Sequence, residues 1–126
     1  MFAPRFGEYR PRIGGRLLVG VTVHVSRRCR EKFHASLRRL AVGEGDVRSR
    51  LRGAYRYLRM LSPEEVPLAL RDEWASILKS LTRHGPETGP DGELYRGAVD
   101  NTMTRIRNST GRAIAERVYA LVRQID

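Results

Sequence analysis

The side chains of this chain best suited to chemistry are its arginines. Arg27, Arg28, Arg30, Arg38, Arg39, Arg48, Arg50, Arg52 and Arg56 all fall within one short stretch, and Tyr57 follows the last of them directly. A guanidinium forks onto carboxylate or phosphate, and an interleaved aromatic ring offers a face on which a base can stack. The chemistry of such a set is anion recognition, directed at an acidic protein surface or at a phosphate backbone. Arginine outnumbers lysine 22 to 2. Selection for anion binding would favour that choice, and GC-rich codon usage would equally account for it, but codon usage would not account for the placement. Met1 to Gly53 holds 13 basic residues against 4 acidic ones, whereas Ala54 to Asp126 holds 11 against 10.

The remaining reactive residues do not assemble into a reaction centre on spacing alone. His24, His34 and His84 lie in three separate segments, so they and Cys29 lack metal-ligand spacing, and neither metal nor cofactor is expected. Cys29 shares an apolar stripe with Phe33 and reads as a buried structural thiol. As the one cysteine it excludes an internal disulfide, which points to a reducing compartment. Asp72, Glu73 and Asp100 are acids with no base paired to them. Gly43-Glu44-Gly45 joins two expected helices and follows no strand, unlike a phosphate loop. No catalytic residue is therefore assigned and no enzyme is expected.

Arg5, Arg10, Arg12 and Arg16 precede a short apolar run, an order superficially like a secretory signal. No small-x-small cleavage site follows, and Arg27, Arg28 and Arg30 come straight after. The run Leu17 to Val23 is far too short to span a bilayer. The expectation is a cytoplasmic protein without a membrane segment. In that setting Asn108-Ser109-Thr110, formally a glycosylation sequon, carries no weight.

The elements that position the arginines are helical. Residues 1–25 read as an irregular or single-strand tail. Val19, Val21, Val23 and Val25 alternate with smaller or polar residues as in a half-buried strand, but no downstream partner strand is evident. That leaves an extended arm, a strand supplied to a partner, or a start upstream of the native one. Residues 26–126 read as one helical domain. Ser26 caps a helix over 27–42 that carries Cys29, Phe33, Leu37 and Leu40 and stops at Gly43. Asp46 caps a second helix with Val47, Leu51, Ala54, Tyr55 and Leu58 on one stripe. Ser62-Pro63-Glu64-Glu65 is a capping-box pattern cut short by Pro67. A third helix runs through Leu70, Trp74, Ile77 and Leu81. Residues 84–92 read as a surface connector. Residues 93–125 form one helix with a weak point at Asn108 to Gly111, or two helices divided there, with Thr110 as the second cap. The fold class is all-α, a small bundle of four to five amphipathic helices.

Three likenesses bear on function. Helix, glycine-containing turn and arginine-rich helix outline a helix-turn-helix with Arg48, Arg50 and Arg52 near the reading end. Glu44 and Asp46 in the connector oppose that reading, because they repel phosphate. Arg107-Asn108-Ser109-Thr110-Gly111-Arg112 resembles the Arg-polar-x-x-x-His motif of HEPN-domain ribonucleases. Arg112 stands where that family has its histidine, so the resemblance implies an inactive relative at most. Glu31-Lys32-Phe33, Leu40 to Gly45, Ala54-Tyr55 and Leu61 to Pro67 resemble a group of small bacterial α-helical proteins with no assigned activity.

Together these features point to a small helical protein that binds a macromolecular partner without catalysis, through a basic helical hairpin. A protein partner is the leading expectation, and sequence-nonspecific nucleic-acid binding by the same arginines is the alternative.

Overall fold

In a computed structural model the protein is described over residues 12–13, 16–17 and 22–125, with side chains from residue 22 onward. Among the described residues five helices dominate: α1 (Arg27–Val42), α2 (Val47–Leu58), α3 (Leu68–Leu81), α4 (Ala98–Arg105) and α5 (Asn108–Val122). Two short antiparallel hairpins accompany them. One joins β1 (Arg12–Ile13) to β2 (Arg16–Leu17), and the other joins β3 (Glu87–Thr88) to β4 (Leu94–Arg96). The molecule is thus mostly helical but not purely so. The extended reading of the N-terminal segment falls partly on residues 18–21, outside the described residues. Beyond them Val23 donates its N–H to Gln124 O at 2.7 Å and pairs in parallel with Ile125.

Local chemistry sets the helix ends. The Ser26 hydroxyl accepts from the Cys29 N–H at 3.1 Å and opens α1. A Cβ on Gly43 would collide with the carbonyl oxygen of Arg39, so only glycine lets the chain leave α1 there. Gly45 turns through a φ of 82°, and Asp46 Oδ1 then accepts from the Ser49 N–H at 3.1 Å to start α2. At the capping box the Ser62 N–H donates to Glu65 Oε2 at 2.9 Å, and Pro63–Glu65 form a single 3₁₀ turn before Pro67.

The core lies among all five helices. Phe33 of α1, Leu51 and Leu58 of α2, Leu70, Ile77 and Leu81 of α3, Met103 of α4 and Leu121 of α5 are fully buried. Trp74 is buried with them and donates its indole N–H to Leu58 O at 3.0 Å, joining α3 to the end of α2. The buried polar side chains also find partners. Ser36 donates to Phe33 O at 2.7 Å, Thr102 to Ala98 O at 2.8 Å, and Asn101 Nδ2 to Gly85 O at 3.0 Å.

Residues 93–125 are not helical from their start, because Leu94–Arg96 pair as β4 and α4 begins only at Ala98, and the helical part divides earlier than its sequence suggests. Ile106 and Arg107 are extended, and Asn108 to Gly111 form the first turn of α5, with Arg107 at the cap position in place of Thr110. Thr102 and Thr104 turn their hydroxyls onto Ala98 O and Asn101 O late in α4, where such bonds compete with the helical ladder. Arg48 takes the Ile106 carbonyl at 3.2 Å. The connector over 84–92 likewise holds more order than expected, since Glu87 and Thr88 pair with Arg96 and Leu94.

Gly111 sits buried where α5 crosses α2. A Cβ there would stand 3.1 Å from Val47 Cγ1 and 3.5 Å from Leu51 Cδ1. Gly111→Val should push the two helices apart and lower stability by about 2 kcal/mol, read as a fall in the urea midpoint. An unchanged midpoint would contradict this packing.

Candidate functional site

α1 and α2 pack as an antiparallel hairpin and bring ten cations together with one carboxylate, Glu31. The structure sorts the predicted arginines by what holds their head groups. Arg28 Nε donates to Glu65 Oε1 at 3.0 Å and its Nη2 to Met60 O at 3.0 Å, so it binds the α2–α3 connector to the start of α1. Arg50 reaches back from α2 to Leu40 O near the end of α1 at 3.0 Å. Arg48 spans to Ile106 O and also meets Asp46 Oδ2 at 2.9 Å. Arg52 Nε lies 3.3 Å from Asp100 Oδ1 of α4, at an angle that makes an ion pair and not a hydrogen bond.

The others point outward. Arg27 pairs with Glu31 one turn on at 3.1 Å, both well exposed, an arrangement worth little. Arg30 is half-buried. Arg38, Arg39 and Arg56 are exposed, and among the described residues their guanidinium groups make no ion pair or hydrogen bond. The Arg39 stem crosses Gly53, where a Cβ would lie 3.4 Å from its Cδ and Nε, so this glycine lets the two helices carry a cation over their seam. Tyr57 is half-buried on the same seam, with Lys32 Nζ 6.0 Å from its ring centroid. The predicted basic face is therefore split. Arg28, Arg48, Arg50 and Arg52 tie the fold together, while Arg38, Arg39 and Arg56 with Tyr57 remain at the surface.

Of the acids Asp72, Glu73 and Asp100, two are committed to ion pairs, Asp100 to Arg52 and Glu73 to Arg117. Glu73 receives both arms of Arg117 from α5, Nε at 3.0 Å and Nη2 at 2.9 Å, and the same guanidinium donates to Ser76 and Ser80 hydroxyls. That clamp between α3 and α5 went unseen in the sequence because its members lie 37 to 44 positions apart. Cys29 is fully buried, and burial foremost, with the Glu65 charge second, pushes its thiol up to about 11. A thiol so shifted is no nucleophile at neutral pH. Among the described residues no cluster of three or more His, Cys, Asp or Glu forms that could hold a metal. Arg107 and Arg112 are both exposed at the start of α5.

A second feature was also missed in the sequence. An open trough of about 370 Å³ runs between α1 and α5, with Leu37, Leu40 and Ala41 on one wall and Ala115 and Tyr119 on the other. Arg112 and Glu116 border it. The signal was available in Ala41 and Ala115, small residues at helical spacing from Leu37 and Tyr119, which leave a gap between two helices that pack elsewhere.

Compared with protein-family models, curated proteins and solved structures, the chain matches none of them.

Two carboxylates in the connectors on either side of α2, Asp46 and Glu65, make the stability of the fold sensitive to acid. The Ser62 N–H first, and Arg28 second, hold Glu65 below its usual 4.5, and the Ser49 N–H with Arg48 hold Asp46 below 3.8. A carboxyl with a lowered folded value stabilises the fold above its unfolded value and loses that contribution as pH falls through the folded one. Melting temperature should therefore drop as the pH is taken below 4.5, and Glu65→Gln should flatten that drop. An equally steep fall in Glu65→Gln would mean that the Glu65 contacts contribute nothing.

Proposed function

We propose that this chain acts without catalysis, as a binding protein that engages an acidic protein partner through the outward face of the α1–α2 hairpin. One observation carries the reading. After the internal bonds are made, Arg38, Arg39 and Arg56 stand exposed with no ion pair or hydrogen bond among the described residues, on two helices that together hold a single carboxylate. Such a surface draws an oppositely charged partner by long-range attraction, and specificity then comes from the contacts it makes close in.

Three features favour protein over nucleic acid as the occupant. Lys32 lies over one face of the half-buried Tyr57 ring and competes there with a stacked base. Arg48, Arg50 and Arg52, which a helix-turn-helix would offer to base edges, are bonded to Ile106 O, Leu40 O and Asp100. A protein partner also has a use for the apolar trough beside the hairpin, and a phosphate backbone has none. Among the described residues no helix is long and apolar enough to cross a membrane.

Fluorescence anisotropy tests the proposal with three labelled probes, a poly-glutamate peptide, a random duplex and a single-stranded oligonucleotide, at about 50 and 200 mM salt. The peptide should bind at low salt and weaken at high salt. The triple variant Arg38→Glu, Arg39→Glu, Arg56→Glu should weaken it about tenfold, or 1.4 kcal/mol, without lowering the melting temperature. Binding of the oligonucleotides alone would transfer the surface to nucleic acid. Undiminished peptide binding by the triple variant would remove the hairpin from the account.

A further inference from the structure

The trough between α1 and α5 is a place where the basic surface meets exposed apolar area from two helices. Leu37 and Leu40 are only half-buried there, Ala41 is exposed, and Tyr119 keeps 44% of its surface open. Its walls repeat at one helical turn, Leu37 to Ala41 on α1 and Ala115 to Tyr119 on α5. A segment whose apolar side chains also recur every turn would match that repeat, which is the spacing by which helix-in-groove recognition works.

Charge selects the kind of segment. Arg112 borders the trough, Arg38 follows Leu37 on the exposed flank of α1, and the Arg123 guanidinium lies 5.6 Å above the Tyr119 ring at the far end. Glu116 is the one carboxylate in the lining. A second copy of this chain is a poor occupant, because each copy carries a formal charge of +10 and like charges oppose association. An open trough also leaves most of a small molecule in water, whereas ligand pockets enclose most of the ligand surface.

We infer that this trough seats the apolar face of an acidic amphipathic helix belonging to the partner, with its carboxylates on Arg38 and Arg112. The inference rests on the partner reading above and gives that partner a secondary structure and an anchor spacing. The helix lays two apolar side chains, one turn apart, against Leu37, Leu40, Ala115 and Tyr119. Its flanking glutamates meet the arginines on the rim. The apolar contacts set how long it stays, and the arginines set how fast it arrives.

The test uses a synthetic helical peptide with leucines one turn apart among glutamates, beside a scrambled peptide of the same composition. The full chain should bind the patterned peptide about tenfold tighter than the scrambled one, with amide shifts at Leu37, Leu40, Ala115 and Tyr119. Ala41→Trp, which fills the trough from an exposed position, should erase that preference and leave poly-glutamate binding unchanged. Arg112→Glu should weaken both acidic peptides. Equal binding of patterned and scrambled peptides would overturn the trough proposal while leaving the basic surface standing. Failure of every acidic peptide to bind would overturn both. A concentration-dependent dimer in sedimentation, lost in Ala41→Trp, would make the trough a self-interface and overturn the assignment of a partner helix.

Discussion

Every α-helix ends with four carbonyl groups that have no partner inside the helix. A fold of five helices, the shortest being α4 with 8 residues, repeats that deficit at short intervals, and a buried carbonyl left bare costs about 1–3 kcal/mol. Here long side chains from distant elements meet the deficit. Arg50 closes the end of α1 at Leu40 O, Trp74 and Arg28 close the end of α2 at Leu58 O and Met60 O, and Arg48 closes the end of α4 at Ile106 O. A cation at these positions also lies at the negative end of the helix dipole, so the charge stabilises as well as the hydrogen bond. The packing of α1, α2 and α4 around Phe33, Leu51 and Met103 depends on these ends being held.

That constraint gives the unequal charge of the chain two origins. Part of it is structural: Arg28, Arg48 and Arg50 are cations because a helix end needs a long donor, and Arg52 answers Asp100. The rest is outward and has no such duty. Without this division the basic stretch looks like a single surface for a single anionic partner. With it, the cations of the hairpin that are exposed and make no ion pair or hydrogen bond among the described residues reduce to Arg38, Arg39 and Arg56, and the proposed partner surface reduces to these and the trough at their edge.

The sequence was most legible where local chemistry decides the structure. Ser26 and Gly43 bound α1, Asp46 opens α2, and Ser62 to Glu65 make their capping box, because each interaction joins residues within four positions. It was least legible where a distant group decides. The break between α4 and α5 falls at Ile106–Arg107, where Arg48 arrives from 58 positions away. A reading from Asn108 to Gly111 followed turn propensity, and Gly111 proved to be a packing residue at a helix crossing. The β3–β4 hairpin went unseen because strands of two and three residues leave no period to detect. The arginine stretch is legible in the sequence as a cluster of cations, but which head groups are held internally depends on tertiary reach and could not be counted from spacing.

The division of the arginines is the central claim, and equilibrium urea unfolding of single Arg→Met variants tests it most directly, since methionine keeps much of the apolar stem and removes the donor. Arg48→Met and Arg50→Met should each lose about 1–2 kcal/mol of stability, whereas Arg38→Met, Arg39→Met and Arg56→Met should each stay within about 0.5 kcal/mol of the parent chain. Equal, small effects at all five positions would contradict the account, because the arginines of α2 would then hold no helix end in place.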